Sequence, residues 1–253
     1  MKFVDNSLKN HKIAAVLPCR IYSTRLLAKP LQLVEGFTIL ELLINQLKQS
    51  KYIDEIVLAI SRSTGNDLFI EFAKKHKIKF VIGSEIDVLG RLIKGVKKVN
   101  ADILFRVTSE NPYIYWEGID KLIQNHFLEN HDLTFYKNLP IGASYEIINL
   151  KSLEIAHKFG NAKHRSEYST LYFFENQDKF LINPVLPKKS LQFPKIRLTV
   201  DTPEDLIVAR IIHGKLGRKS NPIKLERIIN LLNLNKKILK LNTKIELKYT
   251  RYL

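Results

Sequence analysis

Residues 55–82 read EIVLAISRSTGNDLFIEFAKKHKIKFVI, and this stretch decides the fold class. Glu55 to Ile60 is a run of Ile, Val, Leu and Ala with the length and composition of a buried strand. Asp67 to Lys77 reads as a helix, and Lys79 to Ile82 as a second short strand. Two strands joined through a helix make a parallel crossover, because parallel neighbours cannot be linked by a tight turn.

The same alternation extends both ways. Upstream, Thr38-Ile39-Leu40-Glu41 fits a capping box, with Thr38 accepting from the Glu41 amide and Glu41 reaching back. It opens a helix running to about Lys51. Before it lie a polar loop, Pro18 to about Pro30, and a short apolar strand, Lys12 to Leu17. Downstream, Ser84 and Asp87 precede a helix over Val88 to Val99. Asp102 to Thr108 reads as a strand and Trp116 to Glu129 as a helix. This order predicts an α/β fold with a doubly wound, mostly parallel sheet covered on both faces. From Asp132 to Lys195 the pattern loosens into an α+β insertion, with strands at Leu133–Tyr136 and Tyr145–Ile148 and a helix at His164–Asn176. Alternation returns with a strand at Ile196–Val200. A helix then opens at Thr202-Pro203-Glu204-Asp205, which has a capping threonine, proline at the first position and two acids in the first turn. With no Gly/Ser-rich linker, residues 1–253 read as a single domain interrupted at about 132–195.

The chain has 253 residues, 45% hydrophobic and 26% charged, which disfavours disorder and repeat arrays. No apolar run approaches the roughly 18 residues of a membrane span, and Asp5, Asn6 and Ser7 stand where a secretory leader needs apolar residues. The single cysteine, Cys19, excludes an internal disulfide framework and a multi-cysteine zinc site. The expected compartment is the cytoplasm, with no membrane insertion. The net charge of +16 favours acidic partners. Leu186 to Leu253 holds 16 Lys+Arg against 5 Asp+Glu, but no nucleic-acid signature, so a solvated basic surface is expected there and no nucleic-acid partner.

In open parallel sheets, ligands bind beyond the carboxyl ends of the strands. After the first strand, Pro18 to Leu31 carries Arg20, Arg25 and Lys29 with Ser23 and Thr24, groups suited to phosphate oxygens. On composition alone, a solvated basic loop and a phosphate cradle are equally open. Glu110 and Asp201 each follow a predicted strand at the same edge. Two such carboxylates can hold magnesium through oxygen ligands; a loop residue and a turn residue before a helix cap are the plain alternatives.

These stretches carry a family resemblance. Pro18 to Leu31 resembles the P-A-R-x-x-S-T-R-L-P-G-K-P-L signature of 3-deoxy-manno-octulosonate cytidylyltransferases, with Arg20, Ser23, Thr24, Arg25, Leu26, Lys29, Pro30 and Leu31 in register. Gly83 to Arg91 is similar to the G-S-E-x-D-V-L-x-R stretch of SpsF-type spore-coat polysaccharide cytidylyltransferases. Arg106 to Ile114 is similar to their R-x-T-G-D-x-P-x-I, Glu167 to Asn176 to E-H-V-T-P-Y-x-x-E-N, and Leu198 to Leu206 to L-T-V-D-T-P-E-D-L. The chain departs at Leu27-Ala28 (Pro-Gly in the family), at Ser109-Glu110 (Gly-Asp) and at Tyr168 (His).

The resemblance implies a nucleotidyltransferase that joins CTP to a sugar-like, acidic acceptor and releases pyrophosphate, for surface polysaccharide or glycan biosynthesis. It implies catalytic roles for Arg20, Arg25 and Lys29 on the triphosphate, with Ser23 donating a hydrogen bond. It implies Mg2+ on Glu110 and Asp201, a base-reading edge from Ala59 to Ser61, a nucleotide-side role for Arg91 and an acceptor-side role for Glu167. A homodimer is also implied, which the 132–195 region helps to form while closing over the acceptor; of its aromatics Phe135, Tyr136, Tyr145, Tyr172, Phe173 and Phe174, part must line the core, and the plain alternative is that all do. The competing expectation is a metal-dependent glycosyltransferase of the related nucleotide-sugar-binding fold. That class typically carries an Asp-x-Asp metal motif after a strand, and only Glu110 stands near the expected place.

Overall fold

The computed structural model describes residues 10–217 and 222–245. The first nine residues of the expected leader-free start, and residues 218–221 and 246–253 of the basic end, lie outside them. The strands are β1 (Ile13–Cys19), β2 (Leu33–Val34), β3 (Phe37–Thr38), β4 (Glu55–Ser61), β5 (Lys79–Gly83), β6 (Ile103–Arg106), β7 (Leu133–Tyr136), β8 (Glu146–Asn149) and β9 (Ile182–Val185). The α-helices are α1 (Ile39–Leu47), α2 (Asp67–Lys75), α3 (Val88–Lys98), α4 (Ile119–Leu128), α5 (Leu150–Phe159), α6 (Ala162–Arg165), α7 (Leu171–Glu175), α8 (Pro203–Leu216), α9 (Leu225–Leu234) and α10 (Lys236–Leu239).

Successive residues of a strand point to opposite faces of its sheet, and β1 divides its side chains between two cores accordingly. Ile13, Ala15, Leu17 and Cys19 pack on one face with α1, α2, α4, α8 and α9. Ala14 and Val16 pack on the other with α3, α5 and α7. β4 divides in the same way, Leu58 and Ile60 against Val57 and Ala59. A strand apolar at every position thus belongs between two helical layers, as the continuous apolar runs predict.

The seven-stranded sheet has the order β5-β4-β1-β6-β8-β7-β9. Pairings β1/β4, β1/β6, β4/β5 and β7/β9 are parallel, and β8 runs antiparallel to both β6 and β7. The chain winds outward from β1 to β5, then returns to β6 on the other side of β1. That reversal opens a crevice at the carboxyl ends of β1 and β6, where this class of sheet binds ligands. The strands contributed by residues 132–195 extend the same sheet beyond β6.

Several elements differ from the sequence reading. Ile196–Val200 is not a strand of the sheet and makes a single isolated bridge, Arg197 to Ile141. Its backbone bonds to two loops instead: Ile141 N donates to Ile196 O (2.8 Å), Leu198 N to Ile141 O (2.8 Å) and Val200 N to Glu110 O (3.1 Å). Gly142, at φ 87°, allows this approach, since an added Cβ would stand 2.5 Å from Thr199 N. The expected helix His164–Asn176 is two short helices, α6 and α7, with residues 166–170 between them in turns. Helix α1 ends at Leu47 and β6 at Arg106, both short of their expected limits. The aromatics of the 132–195 stretch belong to the interior: Phe135, Tyr136, Tyr145, Tyr172 and Phe173 are buried and Phe174 half-buried. Among the described residues, no helix is long and apolar enough to cross a membrane.

Candidate active site at the switch point of the sheet

Three loops meet beyond β1 and β6. Ser109 Oγ, after β6, donates to the Pro18 carbonyl in β1 (2.7 Å). Asn66, buried at the start of α2, accepts from Ile21 N (2.7 Å) and donates to Ser61 Oγ (3.0 Å), tying the loop after β1 to the end of β4. The Val200–Glu110 backbone bond brings the segment before α8 against the loop after β6. Asn66 carried no functional signal in sequence, and Ser109 only that of a departure from the family's glycine, because each acts through a partner distant along the chain.

The loop after β1 closes on itself where Ala28 N donates to Ile21 O (2.8 Å). Ala28 is left-handed (φ 50°, ψ 39°), a conformation that explains the family's glycine at this position. The turn directs Lys29 inward. Lys29 Nζ donates to Asp201 Oδ1 (2.6 Å), and Arg25 Nη2 lies 3.3 Å from the same oxygen. Lys29 is only 12% exposed, which disfavours the solvated basic loop, one of the two readings that composition left open. Arg20 is half exposed and pairs with Glu167 Oε2 (3.3 Å), in the turn between α6 and α7. Among the described residues, the half-buried Ser23 hydroxyl takes no hydrogen-bond partner within the chain.

Asp201 precedes α8, whose capping box joins Thr202 and Asp205. It therefore stands before a helix cap but does not end a strand, and Glu110 lies four residues beyond β6. Burial pushes the Asp201 carboxyl up, but Lys29, Arg25 and Arg197 outweigh it and hold the group below the ordinary aspartate value. Burial and then the nearby Asp201 charge push the Glu110 carboxyl up. Glu110 and Asp201 bring hard oxygen donors near one another, the donor chemistry that a divalent cation takes. Among the described residues no third Asp, Glu, His or Cys completes a cluster of three, which leaves positions for water and phosphate oxygens, as Mg2+ prefers. The residues present therefore fit the expected ion.

The other expected residues are placed differently. Ala59 is buried in the core facing α3, and Ser61 is bound to Asn66, so neither presents its side chain to a ligand. Arg91 is buried, and its Nη1 donates to the carbonyls of Ser84 (2.6 Å) and Glu85 (3.2 Å), holding the 84–87 loop. Cys19 is buried and its thiol is pushed up to about 12 by burial, so it is no nucleophile. A cleft of about 780 Å³ runs along β5 past Ser61, Thr64, Phe80 and Lys94. None of Arg20, Arg25, Lys29, Glu110 or Asp201 lines it, and the converging charges mark the better site.

Arg197 was missed in the sequence reading. It is buried, grips Asp205 through Nε (2.8 Å) and Nη2 (3.0 Å), and contacts Asp201 Oδ2 through Nη2 (2.8 Å). Its position four residues before Asp201 was the available signal.

Known proteins are similar to this chain along most of their length. A protein of Methanocaldococcus jannaschii described as uncharacterized is 31% identical over 242 residues, 95% of this chain and 98% of its own. The spore coat polysaccharide biosynthesis protein SpsF of Bacillus subtilis is 28% identical over 228 residues, 88% of this chain and 95% of its own. The structure of a cytidylyltransferase from Leptospira borgpetersenii superposes with a TM-score of 0.81 at 25% identity, covering 95% of this chain and all of that one. The pattern of the family described as cytidylyltransferase matches residues 14–245, which takes in the phosphate-type loop, both carboxylates and the sheet that unites them: the chain belongs to the cytidylyltransferase family of enzymes.

Proposed function

We propose that the enzyme transfers the cytidylyl group of CTP to a sugar-like, acidic acceptor and releases pyrophosphate, in surface polysaccharide or glycan biosynthesis. The observation that carries this reading is the convergence of Lys29 and Arg25 on Asp201, beside Glu110, at the switch point of the sheet. The likeness to SpsF supports the glycan setting.

In this reading an acceptor hydroxyl oxygen bonds to the α-phosphorus, and the bond from that phosphorus to the α–β bridging oxygen breaks. Pyrophosphate leaves with that oxygen, and the hydroxyl proton passes to water. Arg20, Arg25 and Lys29 hold the triphosphate and stabilise charge on the leaving group, an electrostatic contribution that usually dominates such catalysis. Ser23 donates a hydrogen bond to the same chain of phosphates. Glu110 and Asp201 hold Mg2+, which when bound neutralises phosphate charge as a Lewis acid. The backbone from Ala59 to Ser61 borders the base, Arg91 acts by holding the 84–87 loop beside the nucleotide, and Glu167 faces the acceptor. The enzyme works as a cytoplasmic homodimer.

The test is pyrophosphate release with each of the four ribonucleoside triphosphates across a panel of acidic and phosphorylated sugars. CTP with an acidic sugar is the expected pair. No release with any pair, or turnover of a finished nucleotide sugar instead, overturns the reading.

A further inference from the structure

Arg197 belongs to neither the basic loop nor the acidic pair, yet it is fixed from three sides. Its side chain is 3% exposed. Nε and Nη2 fork onto the two oxygens of Asp205, at 2.8 and 3.0 Å. Asp205 is itself anchored, accepting from the amides of Asp201 (3.0 Å) and Thr202 (3.2 Å) at the start of α8. Asn242, buried in the segment after α10, donates to Asp205 Oδ1 (2.9 Å) and to the Arg197 carbonyl (3.2 Å). From this seat Arg197 Nη2 holds Asp201 Oδ2 at 2.8 Å. The opposite oxygen, Oδ1, meets Lys29 and Arg25.

We propose that Arg197, seated by Asp205 and Asn242, is a positioning residue that locks Oδ2 of Asp201 inward and so presents Oδ1 alone to the basic loop. The proposal rests on the nucleotidyl-transfer reading and deepens it. The terminal torsion of a carboxylate side chain is broad, so an aspartate beside a loop has no intrinsic reason to keep its carboxylate plane edge-on, with one oxygen forward and the other inward. A guanidinium removes that freedom, because its planar fork grips Asp205 and still has a donor for Asp201. Lysine offers a point charge and cannot hold both carboxylates in fixed geometry. The C-terminal segment thereby becomes part of the site's scaffold through one side chain, Asn242.

Arg197→Lys and Asn242→Ala in the full chain test this, with kcat and KM for CTP from pyrophosphate release, CTP affinity by calorimetry without acceptor, and thermal melts. Misplacing a reacting group by about 1 Å costs on the order of a hundredfold, so Arg197→Lys should lower kcat by about 10- to 100-fold. CTP affinity should change by less than about threefold, because ground-state contacts to the triphosphate remain. Asn242→Ala should shift kcat the same way by about 3- to 10-fold, the scale of one lost hydrogen bond. A merely structural role predicts lower melting temperatures with wild-type kcat per folded molecule, and that result in Asn242→Ala overturns the proposal. If Arg197→Lys does not fold, Asn242→Ala decides alone. Weakened CTP binding with unchanged kcat also overturns it, since Arg197 would then serve phosphate directly. A wild-type chain that neither binds nor turns over CTP overturns the transfer reading and this one together; an active wild type with unaltered variants overturns positioning alone.

Discussion

Lys29 has its ammonium 2.6 Å from a partly buried carboxylate, so its removal acts on two properties. Lys29→Ala should weaken CTP binding or turnover by at least about tenfold, the scale of a charge-assisted hydrogen bond, and should also destabilise the fold by about 1–3 kcal/mol. Arg20→Ala should show the same loss of binding with an unchanged melting temperature, because a half-exposed pair such as Arg20–Glu167 contributes about 1 kcal/mol at most. Calorimetry and thermal melts on both variants separate the two effects. Asp201→Asn keeps the side chain's size and removes a hard anionic ligand, and should lower turnover by about a hundredfold or more. Glu110→Asp restores the family's residue and should stay active with an altered divalent-ion requirement, while a chelator should abolish wild-type activity until Mg2+ is returned. The departures from the family's motifs have local physical meaning. Ser109, in place of glycine, supplies the hydroxyl bonded to Pro18. Ala28 keeps a left-handed backbone that disfavours residues with a Cβ by about 1–2 kcal/mol. Glycine's own folding entropy offsets part of that, so Ala28→Gly should raise stability by up to about 1 kcal/mol in denaturant titrations.

The elements that were plain in the sequence are those whose pattern is local. The Thr38–Glu41 capping box and the Thr202-Pro203 helix start stand where the residues place them. Helix α9 carries an equally local pattern, Leu225, Ile228, Ile229 and Leu232 at helical spacing, within the lysine-rich end. The hairpin of β2 and β3, turning at Glu35-Gly36 with positive φ at both, has a two-residue signal that was likewise passed over. Ile196–Val200 misled for a different reason: its residues favour an extended backbone, but its hydrogen bonds go to loops around Ile141 and Glu110 that no local pattern announces. The convergence of the candidate site was half legible. The motif residues are nameable and Arg197 has a local signal, whereas Asn66 and Asn242 are recognised only once distant segments meet. Helix α4 carries a prediction of its own. His126 is buried between Thr134 Oγ1 and Asn149 Oδ1, each 3.0 Å away, and burial lowers its pKa from 6.5 to about 4. Neutral His126 is the folded form, so stability is complete above pH 6.5 and is lost as pH falls toward 4, where the unfolded chain takes up the proton first. The loss should reach about 3 kcal/mol. Urea titrations between about pH 7 and pH 4 should show this slope in the wild type and a flatter one in His126→Gln.

At the scale of the whole molecule, sheet order decides where chemistry can occur. The reversal between β5 and β6 places the basic loop on one rim with Glu110 and with Asp201, the latter 172 residues from Lys29 in sequence. The exposed Ile155 and Phe159 on α5, one turn apart, leave apolar surface outside both cores, and static light scattering should report the mass of two chains. A purely monomeric mass at micromolar concentration defeats the dimer. The net charge of +16 draws small anions toward the whole surface without discrimination. Discrimination has to come from the pairing of Lys29 with Asp201. An inorganic anion that pulls Lys29 away leaves Asp201 with Arg25 and Arg197 only, and a lone cation that claims Asp201 takes from Lys29 its carboxylate partner. A ligand that arrives carrying both signs at once strands neither. The closed ion pair therefore acts as a filter, giving the crowd of simple salt ions around a basic protein little hold on the site.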